Sequence, residues 1–97
     1  MIKHIVMWSL KEELDKVETS KKVKKLLEGL KEKINEIVEI EVGINYNSSE
    51  MAYDIALYST FKTKEDLQSY QTNPHHIEAG GYIKSVVKER TVVDYDV

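Results

Sequence analysis

The groups in this sequence best suited to moving a proton near neutral pH are its three histidines, His4, His75 and His76, because imidazole alone among ordinary side chains titrates in that range. His76 is the strongest candidate. It closes the segment Tyr70-Gln71-Thr72-Asn73-Pro74-His75-His76, and a tyrosine hydroxyl near an imidazole can orient or polarise a carbonyl substrate while the imidazole takes its proton. The competing reading is that His75 and His76 simply follow a proline at a helix start, with a ring capping backbone or lying in solvent. Tyr70 would then be a core aromatic with its hydroxyl at the surface. His4 shares a strand face with Val6 and Trp8, where a histidine is either a hydrogen-bonded packing residue or a second proton carrier. Asp54 could pair with His4 across adjacent strands and set its tautomer, or could be exposed.

Other chemistries find less support. The chain has no cysteine, so it offers no thiolate nucleophile, no cysteine-ligated zinc and no disulfide framework. Adjacent histidines point in different directions and do not form the i, i+4 helical pair of compact zinc sites, so no metal is expected. Ala79-Gly80-Gly81 does not follow a strand as a dinucleotide-binding loop requires, and no cofactor is expected. A formal net charge of −3 provides no general field for nucleic acid or an anionic membrane, and neither is expected as a partner. The amino terminus enters an alternating pattern directly and lacks a secretory signal. No apolar run approaches the roughly 20 residues that span a bilayer, and a cytoplasmic location is the expectation.

Those side chains need elements to position them. Ile2, His4, Val6, Trp8 and Leu10 alternate with Lys3, Ile5, Met7 and Ser9, which predicts a first strand over 2–10 with bulky apolar groups on both sides. Asp15 with Glu18, or else Thr19 or Ser20, can cap a helix. The helix is carried to Ile37 by Val23, Leu26, Leu27, Leu30, Ile34 and Ile37 at spacings of three and four. Its other face mixes lysines with glutamates and reads as solvated. From there the period falls to two: Val38, Ile40, Val42 and Ile44 oppose Glu39, Glu41, Gly43 and Asn45. Asn45 to Glu50 is a turn, and Tyr53 to Phe61 alternates again as a third strand, antiparallel to the second. Thr63 caps a second helix running to about Thr72. Pro74 stops it and starts another piece to about Val87, which Gly80-Gly81 should weaken. Arg90 to Val97 alternates as the last strand.

The order is βαββαβ, a ferredoxin-like α+β arrangement with an antiparallel sheet and both helices on one face, read as a single domain over residues 1–97. A domain of this length buries only about 60–65% of the surface that its unfolded chain exposes. The first strand, moreover, carries bulky groups that helices on one face cannot cover. The uncovered face must bury itself against a partner or enclose a ligand.

Four segments carry a resemblance that spans essentially the whole chain: the opening Ile2-Lys3-His4-Ile5-Val6-Met7-Trp8, the strand Tyr53-Asp54-Ile55-Ala56-Leu57-Tyr58, the segment Tyr70 to His76, and the ending Val92-Val93-Asp94-Tyr95. In order and spacing the sequence resembles the stress-responsive dimeric A/B barrel family. The resemblance implies a homodimer in which two open sheet faces form a barrel, with a pocket in each protomer between sheet and helices for a small apolar or aromatic molecule. Olivetolic acid cyclase-like members work without metal or organic cofactor, using a pocket histidine and tyrosine. Tyr70 and His76 resemble that pair, His4 resembles a further pocket histidine, and Asp54 stands where the pattern has another. Asp54, Val6 and Trp8 are thereby placed at the pocket. The implied chemistry is proton abstraction beside a carbonyl followed by intramolecular aldol closure, with cyclase, lyase or monooxygenase-like activity in view. The alternative is a non-catalytic stress-associated or ligand-binding dimer.

Overall fold

In a computed structural model describing residues 1–97, the elements follow the order β1 (Ile2–Leu10), α1 (Lys16–Glu28), a 3₁₀ turn (Gly29–Glu32), β2 (Glu39–Ile44), β3 (Ile55–Phe61), α2 (Lys64–Thr72), α3 (Pro74–Val86) and β4 (Val87–Asp96). The four strands lie in the order β2-β3-β1-β4 and every neighbouring pair is antiparallel. This is the ferredoxin-like arrangement expected from the element order.

Alternation along β1 decides the layering. Ile2, His4, Val6, Trp8 and Leu10 are all buried, whereas Met7 on the other parity is exposed and Lys3, Ile5 and Ser9 are half-buried. Register extends the split across the sheet. Val6 lies opposite Leu57, Ile2 opposite Phe61 and Trp8 opposite Ile55, so one face is continuous and apolar beneath the helices. Val23, Leu27, Leu30, Ile34, Ile37, Leu67, Tyr70, Ala79, Ile83 and Val86 complete that core from above. Each fully buried Val, Leu or Ile side chain contributes about 1.5–3 kcal/mol.

Caps set the helix starts. The Asp15 side chain accepts from the Glu18 backbone N–H at 3.1 Å, and Thr63 accepts from that of Asp66 at 3.0 Å. Asn73 ends α2 in an extended conformation, and its Oδ1 accepts from the His75 N–H at 2.9 Å, opening α3 with Pro74 in the first turn. Proline suits that turn because its missing N–H would be unpartnered there anyway. Gly80 and Gly81 do not interrupt α3, which runs unbroken to Val86.

The first helix is shorter than its apolar spacing predicts. It ends at Glu28, and Leu30, Ile34 and Ile37 reach the core from a 3₁₀ turn and an irregular segment. Gly29 disfavours continuation, and tertiary bonds fasten the end. Glu28 accepts from the Val42 N–H at 2.9 Å and from Lys24 Nζ at 2.7 Å, while Lys24 donates to the Val42 carbonyl at 2.6 Å. These bonds satisfy backbone on the outer edge of β2. Partial burial pushes the Glu28 carboxyl up, but the bonds from Lys24 and Val42 outweigh it and hold the group below its usual range. At the other end of the chain, β4 begins at Val87, earlier than its alternation suggests, because a bulge opposite Ser9 and Leu10 extends the pairing. No helix is long and apolar enough to cross a membrane.

The other sheet face carries no helix. Ile5, Met7, Ala56, Tyr58, Val93 and Tyr95 lie there, with Met7, Val93 and Tyr95 exposed. Lys3 sits among them with its ammonium 5.1 Å from the Tyr58 ring centre.

Candidate active site

Beneath the helices the sheet encloses a cavity of about 360 Å³. Val6 and Trp8 of β1, Leu57 of β3, Leu27 of α1 and Ile83 of α3 form its apolar wall, and His4, Tyr70 and His76 supply polar groups. Three elements place those three side chains. His4 points inward because it shares the buried parity of β1, Tyr70 lies on the inner side of α2, and His76 stands in the first turns of α3 just past the Asn73-Pro74 junction. The junction turns the chain sharply, so residues six apart in sequence meet. The Tyr70 and His76 ring centres are 4.4 Å apart, and Tyr70 lies edge-on to His4 at 6.3 Å.

His4 is 3% exposed, and its Nδ1 lies 2.5 Å from Asp94 Oδ1. The partner comes from register: Asp94 of β4 is directly opposite His4. An aspartate on Nδ1 orients the ring and favours the tautomer with that nitrogen protonated, leaving Nε2 for other work. Tyr70 is fully buried, and its hydroxyl has no hydrogen-bond partner in the protein. Burial pushes its pKa up to about 12, so the hydroxyl remains a donor across the physiological range. His76 is half-buried, and burial lowers its pKa below the ordinary 6.5. A backbone hydrogen bond at Gln71 opposes that shift, while His4 and the positive charge of Arg90 add to it. The His76 ring is therefore neutral at pH 7 and able to accept a proton. His75, its neighbour, is exposed and does not line the cavity.

Asp54 is elsewhere, which corrects its expected place at the pocket and rules out the alternative in which it pairs with His4. Its Oδ2 accepts from the Leu10 N–H at 2.7 Å and faces Lys16 Nζ at 3.5 Å, which pins the end of β1. The reason is geometric. Asp54 precedes β3 and lies beside Trp8, whose carbonyl accepts from the Asp54 N–H, whereas His4 is opposite Ser59. Val6 and Trp8 line the cavity.

Sequence reasoning missed several lining residues. Gly80, Ile83, Lys84 and Val87 follow His76 at helical spacing, and that periodicity was a signal available in the sequence. Asp94 and Arg90 had no comparable signal, because both depend on the β1–β4 register. The bulge between Ser9 and Leu10 brings Val87 opposite Leu10 while Arg90 stays opposite Trp8, so both line the cavity. No three His, Cys, Asp or Glu side chains gather in a group that could hold a metal ion.

A four-stranded antiparallel ferredoxin-like sheet with a helix-covered, histidine-lined cavity defines a class of small α+β barrel protein, and the family model for the stress responsive A/B barrel domain matches residues 2–97. The chain belongs to that family. A dimeric protein of unknown function and ferredoxin-like fold from Bacteroides fragilis is 36% identical, with a TM-score of 0.90, covering 99% of this chain and 95% of that one. A protein from Arabidopsis thaliana is 22% identical with a TM-score of 0.88, over 100% and 95% of the two chains. A hydroxynitrile lyase from Passiflora edulis is 18% identical with a TM-score of 0.80, over 99% and 92%. Comparison with curated proteins finds no match.

Proposed function

We propose that the protein binds a small apolar or aromatic carbonyl compound in this cavity and catalyses proton transfer beside the carbonyl without a cofactor. The supporting observation is the meeting of His4, Tyr70 and His76 on one cavity. Neutral His76 removes the proton, and the Tyr70 hydroxyl donates to the carbonyl oxygen as negative charge develops there. His4, oriented by Asp94 and with its ring centre 6.3 Å from that of Tyr70, is a second group able to return a proton. With a substrate carrying a second carbonyl, the carbanion can close on it in an intramolecular aldol step of the polyketide-cyclase type. The Passiflora protein of like fold is a lyase, consistent with a scaffold able to house such a site.

The proposed working unit is a homodimer. Its interface is the helix-free sheet face, where Ile5, Met7, Tyr58, Val93 and Tyr95 form an apolar layer on the opposite side of the sheet from the cavity. Removing such a layer from water on both partners is a favourable use of its area, and the 36% identical relative is dimeric.

Deuterium exchange at the carbon beside the carbonyl of phenylacetone, followed by NMR, tests the chemistry. His76→Ala should abolish the enzyme-dependent rate and Tyr70→Phe should slow it by roughly 10²–10³, both leaving the fold intact, and undiminished exchange in both variants overturns the proposal. A second reading, a non-catalytic ligand-binding dimer, is favoured by the engagement of Asp54 away from the cavity. It predicts that phenylacetone raises the melting temperature of the wild type without any exchange.

A further inference from the structure

The mouth of the cavity differs in charge from the protein around it. Lys84 on α3 and Arg90 on β4 line it, both are exposed, and neither forms an ion pair. No aspartate or glutamate is among the lining residues. The nearest carboxylate tied to the site, Asp94, is engaged with His4. A chain of net charge −3 thus presents two uncompensated, exposed cations on the lining of an apolar cleft, whose wall also includes Tyr70, a residue with a buried and unpartnered hydroxyl.

We infer that the cavity takes an organic anion: a flat apolar or aromatic body bearing a carboxylate, with the body against Val6, Trp8, Leu57 and Ile83 and the carboxylate held by Lys84 and Arg90. The inference rests on the reading of the cavity as a small-molecule site and adds the substrate class. An arginine guanidinium matches a carboxylate with two parallel N–H donors, and lysine adds a point charge beside it. Anchoring the anion at the mouth directs the other end of the molecule inward, where the Tyr70 hydroxyl finds the acceptor that the protein does not provide. Exposed charges are screened by solvent, so the preference for an anion is a matter of roughly tenfold rather than of thousands.

Calorimetric titration with naphthoate and with its neutral amide, naphthamide, separates the possibilities. Wild-type protein at low ionic strength should bind naphthoate roughly tenfold more tightly than naphthamide, and added salt should narrow the gap. Lys84→Gln combined with Arg90→Gln should remove the preference while leaving naphthamide affinity and the melting temperature near wild type, since both side chains are exposed. Arg90→Lys should keep most of it. Equal binding of the two probes by wild type overturns the anion assignment and leaves the pocket standing. A preference that survives in the double glutamine variant overturns the roles of Lys84 and Arg90. If neither probe binds, the small-molecule reading fails and this inference fails with it.

Discussion

Replacing Tyr70 with phenylalanine should move stability and turnover in opposite directions. When a buried tyrosine hydroxyl is hydrogen-bonded, its removal destabilises a protein by about 0.5–1.5 kcal/mol. Here the hydroxyl is buried without a protein partner, and an unsatisfied polar group of that kind is itself unfavourable by about 1–3 kcal/mol. The ring packing against Phe61 at 4.9 Å and His76 at 4.4 Å is retained in the variant. Tyr70→Phe should therefore be neutral to about 2 kcal/mol more stable, and each kcal/mol raises the melting temperature of a domain this size by roughly 4–8 °C. The same change removes the donor aimed at the developing oxyanion, which should slow exchange by roughly 10²–10³. Urea denaturation at fixed protein concentration, paired with the phenylacetone assay, reads both quantities. A loss of more than about 1 kcal/mol would show that the hydroxyl is bonded within the fold, and the argument from an unpartnered donor would then collapse.

Three further outcomes follow from the same geometry. Because burial holds His76 below its ordinary value of 6.5, the unfolded chain binds more protons between the folded value and 6.5, so stability should fall as pH drops through that window and level off below it; His76→Gln should flatten this part of a pH series of urea midpoints. Gly81 lies exposed inside α3, where an added Cβ would meet nothing within 4 Å, so Gly81→Ala should stabilise the protein by about 0.8–1 kcal/mol in thermal unfolding, and destabilisation would contradict a regular helix there. Val93 is opposite Ile5 on the helix-free face, and Val93→Asp should place an unpaired carboxylate in the proposed interface twice by symmetry, at several kcal/mol per charge; sedimentation should then find the monomer, and an undisturbed dimer would mean that another surface joins the protomers.

Local chemistry left clear marks on the chain. Period-two alternation located β1 to the residue, since a strand with one face buried must alternate. The Asp15, Thr63 and Asn73-Pro74 signals located three helix starts, because capping is a matter of neighbours within three residues. The pairing of Tyr70 with His76 came from the family resemblance of that segment, and the short turn joining the helices that carry them brings the two rings together. The spacing of Leu30, Ile34 and Ile37 misled because a 3₁₀ turn followed by an irregular segment can offer the core the same residues as a helix.

What the sequence determined by itself was the order of elements, the two faces of the sheet and the identity of the imidazoles, all of which depend on contacts between near neighbours. Only the tertiary structure decided that His4 answers to Asp94 and not to Asp54, and that Arg90 reaches the cavity. Both depend on which residue of one strand stands opposite which residue of another far along the chain, His4 opposite Asp94 and Trp8 opposite Arg90. A slip of one position would send every side chain of β4 to the opposite face, and the burial of a whole face against its neighbours, which no short stretch of chain encodes, selects the register.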